Sequence, residues 1–303
     1  MKQEKSVIVL GAGASKPYGF PLGHELREAL KHQVMPHSNK LIACGLKLDD
    51  LKAFNHVLTY GTFDSVDELL ETKEEFREVG GFAIALTMFP LENFDKIFPA
   101  NDWYLKFFNL LKFKSGDDAS WLTIVTFNYD RSLEHFLAHS IEMQCHPSAI
   151  DSARRKLNSI KIIHPHGSLG DYPKVPYGLQ DAATIEQIPE SQLKDAAERI
   201  KLVHENVAHT PEYQEAQLAI GQAARVFFIG FGYEQRSLER LFSQSDYTSW
   251  IAGTTLNLPS NHEEKVREFF KAHKCVLEPK SATDVIERWD FDGLYNGVTV
   301  RSS

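Results

Sequence analysis

The run Val7-Ile8-Val9-Leu10 passing directly into Gly11-Ala12-Gly13-Ala14-Ser15 constrains the fold more than any other stretch of the chain. Four apolar residues without polar alternation read as a strand buried on both faces, as in a parallel sheet. The two glycines that follow predict a tight turn into a helix. Glycine lets backbone approach a ligand closely, and the start of a helix offers free N–H groups and a positive dipole end to a pyrophosphate. The pattern departs from the dehydrogenase fingerprint. Position 16, where a third glycine belongs, is Lys16, and no strand ending in Asp or Glu follows about 20 residues later. Hydride transfer is therefore disfavoured. Ser15 is a candidate phosphate donor or a helix cap. Gly19-Phe20-Pro21-Leu22-Gly23 is a candidate loop over a bound ligand.

Further strands are expected at 121–126, 160–163, 226–229, 250–258 and 274–277, with helices at 23–33, through Leu133, Phe136 and Leu137, across 189–223 with a break at Pro211, and around 237–242, 262–273 and 282–289. This alternation predicts a doubly wound parallel α/β sheet, Rossmann-like, which binds ligands at the carboxyl ends of its strands. Residues 34–120 show helical periodicity instead, at 64–76, 82–88 and 103–113, and predict an all-helical insertion or small lobe closed by turn residues 115–118. The stripe Trp103, Tyr104, Phe107, Phe108, Leu110 and Leu111 reads as core. The expected organisation is a discontinuous ligand-binding domain, 1–33 and 121–290, the helical insertion 34–120, and a tail 291–303.

The 303 residues carry a formal charge of −8, which leaves no electrostatic footprint for nucleic acid. Cys44, Cys145 and Cys275 are far apart and predict free thiols with no metal site. Residues 1–6 show no signal-peptide pattern and no run has bilayer length, so a cytoplasmic protein without membrane attachment is expected.

Each chemically suggestive motif lies just past a predicted strand: Gly11–Ser15, Asn128–Asp130, His166-Gly167 and Gly230-Phe231-Gly232. In extended backbone Asn128 and Asp130 face one way and Tyr129 turns toward the core. Asp130 is either a helix cap or a site carboxylate. Pro165 holds His164 extended, so His164 and His166 share a direction. Gly167 is expected to leave room for a ligand at the His166 imidazole, making His166 the chemical group and His164 its neighbour or a structural histidine.

In order and rough spacing, Gly11-Ala12-Gly13-Ala14-Ser15, Thr126-Phe127-Asn128-Tyr129-Asp130, His166-Gly167 and Gly230-Phe231-Gly232 resemble the motifs of sirtuin-like proteins. The Asn-Tyr-Asp form with Gly-Phe-Gly resembles the prokaryotic anti-phage branch, whose members hydrolyse NAD+. The resemblance spans roughly residues 6–20 and 121–290 and leaves the helical stretch outside it. It implies a sirtuin-type sheet and a cytoplasmic glycohydrolase that depletes NAD+, its substrate, in anti-phage defence. By position it implies Gly11, Ala12, Gly13 and Ser15 at the pyrophosphate, and Gly230, Phe231 and Gly232 at the adenosine half. Asn128 would orient water or ribose hydroxyls, Asp130 would lie near the nicotinamide amide, and His166 would be the general base. Thr254 or Asn257 would touch the adenosine ribose. The chain lacks the zinc ribbon and the Pro-Asp-Phe-Arg segment of the deacylating members, which speaks against deacylation. Control of such an activity implies a homo-oligomer or a complex with a separately encoded ATPase or nuclease, with the helical insertion as its seat. Two other classes stay open: a module that senses NAD+ or ADP-ribose without turnover, and an NAD-dependent deacylase or ADP-ribosyltransferase.

Overall fold

The computed structural model describes residues 4–99, 102–113, 118–178, 184–201, 210–243 and 249–289. The predicted tail 291–303 and turn residues 115–117 lie outside them.

Six strands form one all-parallel sheet: β1 (Ser6–Leu10), β2 (Leu122–Thr126), β3 (Lys161–Ile163), β4 (Arg225–Ile229), β5 (Trp250–Thr254) and β6 (Cys275–Glu278). Their order is β3-β2-β1-β4-β5-β6. This Rossmann-like arrangement is the one the strand–helix alternation predicts. Helices α1 (Ala12–Ser15) and α2 (Gly23–Gln33) follow β1. The long path to β2 carries α3 (Ser38–Ala43), α4 (Leu48–Tyr60), α5 (Val66–Thr72), α6 (Arg77–Met88) and α7 (Trp103–Leu111), and no strand among its described residues. Then come α8 (Ser132–Gln144) and α9 (Ile150–Ser159) before β3, and α10 (Glu190–Arg199) and α11 (Pro211–Gly221) before β4. Helices α12 (Gln235–Leu241), α13 (Ser260–Phe269) and α14 (Ala282–Val285) follow β4, β5 and β6.

Two local expectations need correction. Helix α9 has no counterpart in the sequence reading, because it is short and mostly polar and buries only Ala153, Lys156 and Leu157. Helix α1 is a mere four residues long and passes into a 3-10 turn at Lys16–Tyr18. Pro211 opens the second of the two helices, where its missing N–H needs no partner, while the first ends well before it, at Arg199.

Successive residues of a strand point to opposite faces, and the core divides accordingly. Ile8, Leu10, Ile124, Phe227 and Ile229 join one cluster that continues through α2 and α4–α8. Val7, Val9, Val125, Val226 and Phe228 join the other, with Tyr213 and Ile220 of α11. The helical stretch therefore packs on one sheet face through a continuous apolar core. Trp103, Tyr104, Phe107, Phe108 and Leu111 are buried in it and Leu110 is half-buried, so the aromatic stripe is core. Trp103 also donates from Nε1 to the carbonyl of Ala14 (2.9 Å), and Tyr104 stacks on Tyr18 at 3.7 Å. These contacts bind α7 to the glycine turn. No described helix is long and apolar enough to cross a membrane.

The chain leaves β1 toward β2 and β3, then returns to place β4 on the other side of β1. Ligands of open α/β sheets bind where the strand order reverses in this way. Here the turns after β1 and β4 interlock. Gly11 N–H donates to Ile229 O (3.1 Å) and Gly13 N–H to Gly230 O (2.9 Å). A Cβ on Gly11 would stand 2.6 Å from Gly230 O, and one on Gly230 would stand 2.1 Å from the nitrogen of Ala14. Gly230 also has a φ of +57°, which side chains disfavour. Gly232 faces open space. Gly230→Ala is expected to lower stability by about 3 kcal/mol or more through left-handed strain and backbone overlap, while Gly232→Ala stays within about 0.5 kcal/mol of wild type. Urea denaturation of both variants checks the pair.

Candidate active site

A cleft of about 800 Å³ opens at the carboxyl ends of the central strands, lined by Gly11, Ala12 and Ser15 from the first turn and Phe127–Asp130 from the segment after β2. His166, Phe231 and Gly232 come from the segments after β3 and β4. Phe20, Pro21 and Gly23 border it, as expected of the Gly-Phe-Pro-Leu-Gly loop. The cleft thus gathers most of the predicted residues. Gly13 and Gly230 do not line it. Their missing side chains, like that of Gly11, make room for the opposite turn. Gly13 and Gly230, expected beside a ligand, are packing residues outside the cleft lining, whereas Gly11 both packs and lines the cleft. Nor does α1 present a row of free amides, since Gly13 N–H is held by Gly230 O and Ala14 N–H by Gly11 O (2.9 Å).

Parallel pairing carries Phe127 N–H to Leu10 O (3.0 Å) and so brings Asn128 beside Gly11. The Asn128 amide donates to Gly11 O (3.0 Å) and to Ser15 Oγ (2.9 Å). A carbonyl only accepts, so the NH2 group faces it and Oδ1 is left as the Asn128 group for the cleft. Ser15, buried, in turn hydrogen-bonds the Asp130 carboxylate. Its hydroxyl is therefore a tie between Asn128 and Asp130, in place of the phosphate donor expected from the sequence.

Asp130 accepts from the Ser132 N–H (3.1 Å) and the Ser132 hydroxyl, and Ser132 Oγ meets Tyr104 Oη at 2.7 Å. It thus serves the start of α8 while also lining the cleft. Burial pushes its pKa up, against the pull of its serine hydrogen bonds. Tyr129 contributes its ring to the cleft wall and donates its hydroxyl to Asp67 of α5 (2.5 Å).

His166 is buried, with Phe127 edge-on at 5.0 Å and Tyr213 Oη 3.3 Å from Nε2. Burial pulls its pKa below the ordinary histidine value, aided by the Arg240 charge and opposed by Asp67, Glu71 and Glu234. At neutral pH the ring is a free base. Gly167 has a φ of +76°, and a Cβ there would lie 1.9 Å from Arg199 O. The glycine fits the chain at 199–201, where Lys201 N–H donates to His166 O (2.8 Å), so its expected role in admitting a ligand is corrected too. His164 turns away from His166: its ring meets Asn128 O and Glu134. Thr254 Oγ1 accepts from Gly230 N–H (2.9 Å), and neither Thr254 nor Asn257 is among the residues that line the cleft.

The opposite wall had no signal in the sequence. Asp64, Asp67, Glu68 and Glu71 come from α5 and the loop before it; Glu234, Arg236 and Arg240 come from α12 and its cap. Glu71 bridges Arg240 and Arg236 (3.1 Å to the latter), joining the helical stretch to the sheet across the cleft. Among the described residues, no group of three or more His, Cys, Asp or Glu is arranged to hold a metal ion.

Comparison with protein-family models finds no match for this chain, and comparison with curated proteins finds none either.

The His166 environment is open to direct measurement. In carbon-detected histidine NMR its Cε1 resonance should titrate below pH 6.5, the ordinary value. Arg240→Ala should move that titration upward, because it removes a nearby cation.

Proposed function

We propose that this protein hydrolyses NAD+ at the nicotinamide–ribose bond to give nicotinamide and ADP-ribose, as an NAD+-depleting enzyme of anti-phage defence. The observation that carries the reading is the convergence of Asn128 and His166 on one cleft beside the glycine turn, at the switch point of a parallel sheet. The cleft volume of about 800 Å³ lies within the roughly 300–1,000 Å³ of small-molecule sites. The sirtuin-like motif order supplies the substrate.

Cleavage turns a cationic pyridinium into a neutral leaving group and builds positive charge on the ribose. The Asp130 carboxylate, when ionised, and the acidic wall from α5 favour that charge. His166, uncharged at neutral pH, accepts the proton of the attacking water or of a ribose hydroxyl. Asn128 Oδ1 accepts a hydrogen bond that orients the same group. A positioned base of this kind is worth roughly 100- to 10,000-fold in rate. The ring acts only when unprotonated, so activity should rise as pH climbs through the depressed His166 pKa. A homo-oligomer or a partner such as an ATPase or nuclease, acting through the helical stretch, would keep the activity in check in the cell.

Chromatography of NAD+ incubated with purified protein tests the reading. Wild type should release nicotinamide and ADP-ribose, while His166→Ala and Asn128→Ala should lose at least about 100-fold in rate and still unfold cooperatively. Binding by calorimetry without release would instead identify a sensing module.

A further inference from the structure

His164 lies behind the cleft and has no part in the chemistry above. Its ring sits between two groups that can only accept. Nδ1 is 3.1 Å from the backbone oxygen of Asn128, and Nε2 is 2.8 Å from Oε1 of Glu134 in the first turn of α8. A neutral imidazole carries one N–H, so it would satisfy one oxygen and turn a lone pair toward the other. An imidazolium donates to both. The pair is largely buried, with side-chain exposures of 16% for His164 and 11% for Glu134. A charge held there needs its counter-charge in direct contact. The Asp130 charge, from the segment between β2 and α8, also acts on the ring.

The residue gripped at its carbonyl is the one whose amide is fixed by Gly11 and Ser15. Asn128 is thereby held from three sides: its peptide by His164 and its side chain by the glycine turn and the serine. We propose that His164, kept as an imidazolium by Glu134, is the positioning residue that aims Asn128 Oδ1 into the cleft, and that loss of its proton ends activity at alkaline pH. The second part rests on the hydrolase reading; the first does not.

Burial alone would drive the ring toward neutrality, yet the Glu134 bond and charge outweigh it and raise the titration above the ordinary histidine value. His166 is shifted the other way. Two histidines two residues apart therefore bracket the working range. Deprotonation of His166 opens it on the acid side, and deprotonation of His164 closes it on the alkaline side.

The test uses the full chain and two readouts. In histidine NMR, wild-type His164 should titrate above pH 6.5, with the Asn128 side-chain amide resonances moving in step. In Glu134→Gln the His164 titration should fall by one pH unit or more. The alkaline limb of nicotinamide release should fall by the same amount, with the acid limb unmoved and kcat affected more than KM. Glu134→Asp, which keeps the charge, should restore most of the raised titration and serves if Glu134→Gln does not fold. A His164 ring neutral at pH 6.5, or Asn128 resonances indifferent to its titration, overturns the positioning role. A shifted titration with an unmoved alkaline limb overturns the catalytic consequence. Should the wild type release no nicotinamide, the hydrolase reading and its alkaline limb fall together, while the NMR titration still decides whether His164 holds Asn128.

Discussion

The contact on which this molecule turns is backbone against backbone, where the loop after β1 meets the loop after β4. Three glycines, Gly11, Gly13 and Gly230, let the two turns close to hydrogen-bonding distance with no side chain between them. That closure fixes where β1 ends relative to β4, and so fixes the floor of the cleft. Trp103 reaches the same turn from α7 and ties the helical stretch to it. A glycine pattern that reads as a ligand cradle is, in its first use, a packing device. The surface that lines the cleft lies alongside it, at Gly11, Ala12, Ser15, Phe231 and Gly232.

Above that floor, a buried polar chain gives the site its orientation. Tyr104, Ser132, Asp130, Ser15 and Asn128 are linked hydroxyl to hydroxyl to carboxylate to hydroxyl to amide, ending on the carbonyl of Gly11. Buried polar groups cost free energy unless partnered, so such a chain holds in few arrangements and makes its members rigid. Arg131, next to Asp130, is tied as firmly to Glu92 and to the carbonyls of Val175 and Pro176. The whole segment after β2 is thus immobilised on both sides. A side chain presented from it is held in one orientation before any ligand arrives.

Much of this was legible in the chain. The β1, β2 and β4 runs are uninterrupted apolar segments because both sheet faces are covered, and their ends are marked by the residues that the cleft collects. Asn128 and His166 stood out because polar residues directly after buried strands fall at the carboxyl edge of a parallel sheet. Helix α9 was missed because ten mostly polar residues, of which only Ala153, Lys156 and Leu157 are buried, read as a connection between strands. The acidic wall of α5 was missed because an exposed helical face with Asp67, Glu68 and Glu71 looks the same whether it meets solvent or a cleft.

The sequence by itself determined the order of elements, the parallel sheet and the residues at its carboxyl edge, since these follow from local periodicity and from turns that need glycine. Only the tertiary structure decided what each residue meets. That Gly230 fills the space of Gly13, that Ser15 binds Asn128 and Asp130, that His164 grips the Asn128 carbonyl and that Glu71 bridges to Arg240 are contacts between segments far apart in the chain. Their partners are set by packing distance, which no local pattern encodes.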